Sequence, residues 1–445
     1  MPKALKPEKI RPALPSGFRD FGPAEVRRRR YVFQTLSEIF ERYGYEPLET
    51  PAVELLSVLL GKYGEEGDKL LFRILNSGDF LADVPEAAKE STATLLPYIT
   101  EKALRYDLTV PMARWVAQNA GTLVFPFKRY QIQPVWRADR PQRGRFREFY
   151  QCDVDIVGAE GIVPLLEMID IARAGLRALG IRGATFHLNH RSLLEYAAQE
   201  VRWPKNQFST FCTRLDKTDK IGWQAVEALF REEGYNLPAW LNPADNFSSQ
   251  LQAHLAAIPS LEKDLPVLRE LISLSDETLS IQWDATLARG LEYYTGYVYE
   301  IRVPGSRVGS IAAGGAYASL VSDFGGPDLP AMGLSFGIER ILTLLGDPSS
   351  GAGESPSAIL VAWIDASPTY VQKVVQSLHK EGLRAFAYPA AKKLSKQIEY
   401  AQRRGFRWVV IVGAQEEQTE HVQLKDLYSH VQHTLPLHAV ATACK

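Results

Sequence analysis

The sequence predicts an α+β core carrying a helical insertion, followed by a separate C-terminal α/β unit. Three observations lead there. Two stretches, Arg129–Arg137 and Arg147–Asp155, alternate with the two-residue period of strands. A long, mainly helical region from Ser192 to Leu274 interrupts the strand-like pattern, which resumes at Leu279–Ala288. Residues 347–357, rich in Pro, Ser and Gly, have the composition of a linker that cannot pack. The expected organisation is a core over 1–346 with its insertion at about 192–278, a linker at 347–357, and a second unit over 358–445.

At 445 residues the chain is long enough for two to four domains, each with a substantial apolar interior. Hydrophobic residues make up 46% and charged residues 23%, which excludes a disordered or fibrous protein over most of the length. The net charge of -1 rules out a uniformly basic nucleic-acid coat but leaves room for a local patch. Cys152, Cys212 and Cys444 have no paired spacing, so neither a zinc site nor a disulfide framework is indicated. No signal-like apolar core follows Met1 and no run of 18 apolar residues occurs, so a cytoplasmic protein with no membrane span is expected.

Along the chain, Val32, Leu36, Ile39, Phe40 and Tyr43 recur at helical spacing behind Pro23, giving an amphipathic helix over Ala24–Tyr43 that begins with Arg27 to Arg30. Tyr45–Pro51 reads as an extended edge segment, because its prolines cannot serve a central ladder. A helical pattern follows at Leu165–Leu179. After the insertion come strand-like Gly296–Val303 and a closing helix, Gly337–Leu345. In the second unit the order is strand 358–363, helix 367–381, strand 385–388, helix 393–404 and strand 408–412.

The strand pair carries the chemistry. Period two places Arg129, Gln131, Gln133 and Arg137 on one face of the first strand, and Arg147, Phe149, Gln151, Asp153 and Asp155 on one face of the second. From Lys128 to Arg147 there are seven basic residues, Lys128, Arg129, Arg137, Arg140, Arg143, Arg145 and Arg147, against one acid, Asp139. Guanidinium groups grip phosphate oxygens in pairs and an adjacent ring offers a stacking surface, so this hairpin suits polyphosphate and nucleic acid. The bland reading is a solvated arginine-rich hairpin.

This segment, Phe127 to Asp155, resembles motif 2 of class II aminoacyl-tRNA synthetases in its histidyl form. Leu104–Pro111 resembles the amino-acid-binding segment of that family, Leu287–Gly296 a signature of its histidyl members, and Gly333–Arg340 its motif 3. Helix Ala24–Tyr43 with Pro51 stands where motif 1, the dimerisation element, belongs. The resemblance runs from Pro15 to the C-terminus. It implies a mixed, mainly antiparallel sheet in the core, a C-terminal anticodon-binding domain and a homodimer. The implied reaction joins L-histidine to ATP as an adenylate and then moves histidine to tRNA-His.

Residue by residue, the resemblance implies catalytic roles for Arg137 and Arg289, and histidine binding by Asp107, Leu108, Thr109, Arg137, Gln151, Asp155, Arg289, Tyr293 and Tyr294. It implies ATP binding, with Mg²⁺, by Arg137, Phe149 and Arg340, and contacts to the tRNA acceptor end by Arg140, Gln142, Arg143 and Arg145. No residue is assigned to a metal. A neutral imidazole offers one donor and one acceptor, so mixed polar groups suit it. Arg340, in the first turn of its helix, is placed for a γ-phosphate. Taken alone, the tyrosine pair reads as core and Asp107 as a helix cap.

Lys392, Lys393, Lys396, Arg403 and Arg404 give the second helix of the C-terminal unit a basic face, which in this family belongs to anticodon binding. Five of the eight histidines lie in this unit without ligand spacing. Where the family shows Arg-Tyr-Asp after its Gly-Gly, this chain reads Ala316-Tyr317-Ala318 and loses a charge pair. A competing implication is a non-catalytic histidyl-synthetase-like regulatory or histidine-sensing subunit. Such proteins typically lack the C-terminal domain that this chain carries.

Overall fold

The computed structural model describes residues 11–63, 67–140, 146–245, 247–288, 290, 294–346 and 358–444. The chain divides into two compact units, Met1–Asp347 and Pro348–Lys445. The strands of the first unit are β1 (Glu46–Pro47), β2 (Val53–Leu55), β3 (Arg73–Ile74), β4 (Lys102–Leu104), β5 (Phe127–Trp136), β6 (Glu148–Val157), β7 (Ala184–His190), β8 (Leu279–Trp283), β9 (Tyr297–Arg302), β10 (Ala312–Tyr317) and β11 (Ala331–Gly337). Eight of them form one sheet in the order β1-β5-β6-β11-β10-β9-β7-β8. Its central pairs are antiparallel, and only the outermost pairs, β1 with β5 and β7 with β8, are parallel. The sheet is thus mixed and mainly antiparallel. β2, β4 and β3 form a smaller antiparallel sheet.

One face of the large sheet is apolar. Val32, Leu36 and Phe40 from helix Pro23–Arg42, Leu165, Met168 and Leu176 from helix Ile162–Ala178, and Cys152, Val154 and Phe336 from the strands belong to one buried cluster. The helical period of the first two sets and the strand period of the third bring these residues together. Close fit is visible at Gly175, where an added Cβ would come 3.1 Å from Leu36. At the start of the first helix, Arg28 and Arg29 are buried: Arg28 donates to the Leu342 carbonyl at 2.7 Å, and Arg29 lies against the rings of Phe21 and Tyr150.

The parallel pairing of β7 with β8 explains why the helical segment sits where it does. Parallel neighbours cannot be joined by a tight turn and need a crossover. Here the crossover consists of several helices, from Arg191–Glu200 to Leu265–Ser273, packed around Trp203, Phe211, Phe230 and Trp240. The sequence pattern did not separate β7, β10 or the small sheet from their surroundings. It also extended β8 too far: the strand ends at Trp283, followed by a turn in which Asp284 accepts from Thr286 N at 3.1 Å.

In the second unit, β12 (Ile359–Trp363), β13 (Ala385–Ala387), β14 (Trp408–Val412), β15 (His421–Asp426) and β16 (Gln432–Pro436) form a sheet ordered β13-β12-β14-β15-β16. The first three are parallel; the last two add an antiparallel hairpin absent from the sequence expectation. Alternate residues of β12 and β14 enter two cores, one with helix Pro368–Lys380 and one with helix Leu394–Arg403. Buried Gln397 ties the latter helix to β12, accepting from Trp363 N at 3.0 Å and donating to Trp363 O at 2.8 Å. His379 and His421 bond to main-chain carbonyls, a structural role.

Gly333 in β11 lies opposite Asp155 of β6, and an added Cβ would come 1.9 Å from an Asp155 carboxylate oxygen. Gly333→Ala therefore has no room without moving a buried charge, and should lower unfolding stability by about 3 kcal/mol. Denaturant unfolding of the two proteins measures it; equal stability would show that the strand contact is looser than described.

Candidate active site

The polar face of the β5–β6 pair is turned inward, not to solvent. Its residues meet in register, Arg129 with Asp155, Gln131 with Asp153 and Gln133 with Gln151, and the first two pairs are almost entirely buried. Arg129 Nη2 lies 2.8 Å from Asp155 Oδ2, although neither atom has an aligned hydrogen bond. Tyr317 Oη donates to the other Asp155 oxygen at 2.7 Å. Gln131 Nε2 donates to Thr50 Oγ1 at 2.9 Å, and Arg105 Nη1 to Gln133 Oε1 at 3.0 Å. These bonds satisfy groups that would otherwise be costly to bury.

Three of the seven basic residues of the hairpin are engaged within the protein. Arg129 is committed to Asp155. Lys128 is held by Glu167 at 2.8 Å, and Arg147 donates to the carbonyls of Asp139 at 2.9 Å and Ser16 at 3.3 Å. Arg137 and exposed Arg140 remain on the described part of the hairpin, while Gln142, Arg143 and Arg145 lie outside the described residues.

Across β11 and β10 the same face continues as small residues. Asp155 pairs with Gly333 and then Gly315; Asp153 pairs with Ser335, then Ala313, then Glu300 of β9. A cavity of about 910 Å³ opens over this row, lined by Asp153, Ser335 and Ala313, with Glu300 at its far side. The missing side-chain volume on β10 and β11 makes the space. Asp107, Thr109, Arg137, Gln151 and Tyr294 line it too. Asp155 instead lines a smaller cavity of about 30 Å³, shared with Thr109, Asp153 and Tyr294.

Thr109 opens helix Thr109–Asn119, and Asp107 accepts from Val110 N at 3.2 Å and from Tyr63 Oη at 2.9 Å. Asp107 is therefore both a turn-forming residue and a wall of the cavity. Leu108 between them is fully buried, and its side chain takes no part in the lining. Arg137 donates from Nε to the Tyr106 carbonyl at 3.1 Å, with its guanidinium 4.3 Å from the Tyr106 ring and 5.1 Å from the Phe149 ring. Phe149 and Arg340 stand outside the lining. Arg340 is exposed and donates to the Ser310 carbonyl. Arg289 and Tyr293 lie outside the described residues, but Ala288 and Gly290 line the cavity on either side of position 289.

Ser335 Oγ donates to Asp153 Oδ1 at 2.5 Å, and Gln151 Nε2 lies 3.5 Å from Asp153 Oδ2 and 3.4 Å from Ser335 Oγ. The Gln151 amide therefore turns its oxygen away from them, and this buried Oε1 has no partner. Burial pushes the Asp153 carboxyl up to about 7, despite the attraction of Arg129. Burial also raises Asp107 and Asp155, against the pull of Tyr63 on the first and Arg129 on the second. Buried His190, whose ring Nδ1 accepts from Ser192 N at 3.1 Å, is held down at about 4.

The alternation rule could have found Asp153, which lies between two residues already singled out. Ser335 follows from the pairing of β11 with β6. Tyr63, Arg191 and Glu300 carry no local pattern and reach the cavity only through tertiary folding. At the Ala316-Tyr317-Ala318 departure the main chain supports the turn: Thr295 N donates to Ala316 O at 2.8 Å and Leu320 N to Ala318 O at 2.7 Å.

A family model described as histidyl-tRNA synthetase matches residues 17–341, and one described as an anticodon binding domain matches residues 358–445. A histidine–tRNA ligase of Christiangramia forsetii is 40% identical, over 98% of this chain and 99% of its own length. One from Porphyromonas gingivalis is 38% identical over 96% and 98%. The crystal structure of histidyl-tRNA synthetase from Nostoc sp. PCC 7120 superposes with a TM-score of 0.77 at 29% identity, covering 98% of this chain and 99% of that one. The chain belongs to the histidyl-tRNA synthetase family.

Proposed function

We propose that the chain activates L-histidine with ATP and transfers the histidyl group to the 3′ end of tRNA-His. The observation that carries this reading is the cluster of acceptors in one cavity: half-buried Asp107, buried Asp153 and the unpartnered, buried Gln151 Oε1. An α-ammonium group would add donors and positive charge to these acceptors, beside Lys62, Arg137 and Arg191 of the same lining. Near-full-length relatives at 37–40% identity bearing the ligase name support the same activity, and no observation favours a non-catalytic subunit.

In the activation step a histidine carboxylate oxygen attacks the α-phosphorus of ATP, and the bond to the β-phosphate oxygen breaks to release pyrophosphate. Arg137, held by Tyr106 and backed by Phe149, would meet the charge that builds on the α-phosphate. The family resemblance gives Arg289 the same task, Arg340 the γ-phosphate and the Phe149 ring the adenine. Asp155, Tyr293 and Tyr294 would serve imidazole recognition, with Asp155 acting from the smaller cavity that shares Thr109, Asp153 and Tyr294. A ribose hydroxyl at the tRNA terminus then attacks the histidyl carbonyl, and AMP leaves. Arg140, Gln142, Arg143 and Arg145 would meet the acceptor end, while exposed Lys392, Lys393, Lys396, Arg403 and Arg404 would meet the anticodon arm.

Among the described residues no group of three or more His, Cys, Asp or Glu side chains is arranged to hold a metal ion. Mg²⁺ would arrive with ATP and neutralise phosphate charge there. A two-fold homodimer through helix Pro23–Arg42 and a cytoplasmic location complete the reading; no described helix is long and apolar enough to cross a membrane.

Exchange of labelled pyrophosphate into ATP should depend on L-histidine, and tRNA-His should become charged; folded protein without exchange would sink this reading. Arg289→Ala is expected to abolish exchange while histidine binding stays measurable by calorimetry, and equal loss of both would place the residue in the pocket instead.

The raised Asp153 carboxyl sets a pH dependence. An acid whose folded value lies above its unfolded value binds its proton more tightly when folded, so its contribution is complete below 3.8 and is lost as pH rises through about 7. Asp153→Asn should therefore gain stability relative to the parent as pH moves from about 5 to about 8. Urea unfolding at both values reads this out, and a pH-independent difference would count against the burial of an unpaired carboxylate.

A further inference from the structure

Residues 16–21, ahead of helix Pro23–Arg42, have no role in the reading above. Gly17 O accepts from Arg147 N at 2.9 Å and Ser16 O from Arg147 Nη1 at 3.3 Å. Arg147 forms the root of the arginine loop, where Arg137 N donates to its carbonyl at 2.9 Å. Phe18 meets Phe72 edge-on at 6.0 Å, anchoring the segment. Arg19 then reaches in two directions: its guanidinium lies 3.5 Å from the centre of the Phe146 ring, and its Nη2 donates to Glu339.

Glu339 immediately precedes Arg340 in helix Ile338–Leu344, and its side chain is only 13% exposed. An uncompensated carboxylate there would repel a triphosphate and compete for the Arg340 guanidinium. Arg29 approaches its other oxygen at 3.4 Å, without an aligned hydrogen bond, while lying against Phe21 and Tyr150. Arg19 provides the hydrogen-bonded neutralisation. It also joins two elements far apart in the chain, the loop root at Phe146 and the start of the helix carrying Arg340.

We propose that Arg19 is a positioning residue for ATP: it fixes Phe146, at the root of the arginine hairpin, and the Arg340 helix in one geometry and cancels the Glu339 charge beside the triphosphate. This rests on Arg137, Phe149 and Arg340 forming the nucleotide side of the site.

Calorimetric titration of the full chain with MgATP and, separately, with L-histidine tests it. Arg19→Ala should weaken MgATP about tenfold and leave histidine affinity within about twofold. Adding Glu339→Gln to Arg19→Ala should restore most of the nucleotide affinity, because the charge to be cancelled is gone. Arg19→Lys, which keeps the charge but loses the planar stack, should fall between parent and alanine variant. Unchanged MgATP affinity, an equal loss for histidine, or no recovery with Glu339→Gln overturns the proposal. If Arg19→Ala does not fold, Arg19→Lys with and without Glu339→Gln carries the same comparison. Because binding is read directly, absence of pyrophosphate exchange in the parent would sink the synthetase reading without deciding this one.

Discussion

Arg129 and Asp155 face each other on neighbouring strands, 2.8 Å apart and almost wholly enclosed, and the floor of the site is arranged around them. Taking two such charges from water costs several kcal/mol each, and their attraction offsets that only when the remaining polar atoms are also met. Tyr317 meets one Asp155 oxygen, and Gly333 leaves the space in which the carboxylate sits. This requirement explains why a strand next to β6 must carry Gly at 333. It also explains why Tyr317, within the Ala316–Ala318 departure from the family pattern, has a defined task while its neighbours are alanines.

One step along the same face, Asp153 has no guanidinium opposite it. Gln131 stands there instead, and Ser335 supplies a single hydroxyl donor. The contrast between the two aspartates is a division of labour set by their cross-strand neighbours. Asp155 is neutralised by Arg129 and builds the floor; Asp153, without a guanidinium directly opposite, is the carboxylate that the proposed ammonium group would meet. On the proposed reading, substrate binding and the relief of a buried acidic group would be the same event, favouring an ammonium-bearing ligand over an uncharged isostere.

Much of this was legible in the sequence because strands obey a strict period. Alternation placed Arg129, Gln131, Gln151, Asp153 and Asp155 on common faces, and the spacing of Val32, Leu36 and Phe40 identified the helix covering the opposite side. What alternation cannot supply is whether a polar face meets water or protein, so Arg129 counted among the basic residues of the hairpin although it is an interior ion pair. Strand β10 escaped for a different reason: it carries Ala312, Ala313, Gly314 and Gly315, small residues that leave space above the sheet and are poor in strand signal. Tyr63, Arg191 and Glu300 converge from a loop, a helix start and a distant strand, and no local pattern foretells such a meeting.

Asp153 and Gln151 of β6, with Asp107 ahead of helix Thr109–Asn119, make up the acceptor set proposed for the α-ammonium group. Calorimetric binding of L-histidine, L-histidinol and imidazole lactate separates the contributions of ammonium, carboxylate and imidazole. Histidinol, which keeps the ammonium, should bind within about tenfold of histidine, and imidazole lactate, with a hydroxyl in its place, at least about a hundredfold more weakly. Comparable affinity for imidazole lactate and histidine would contradict the proposed acceptor set.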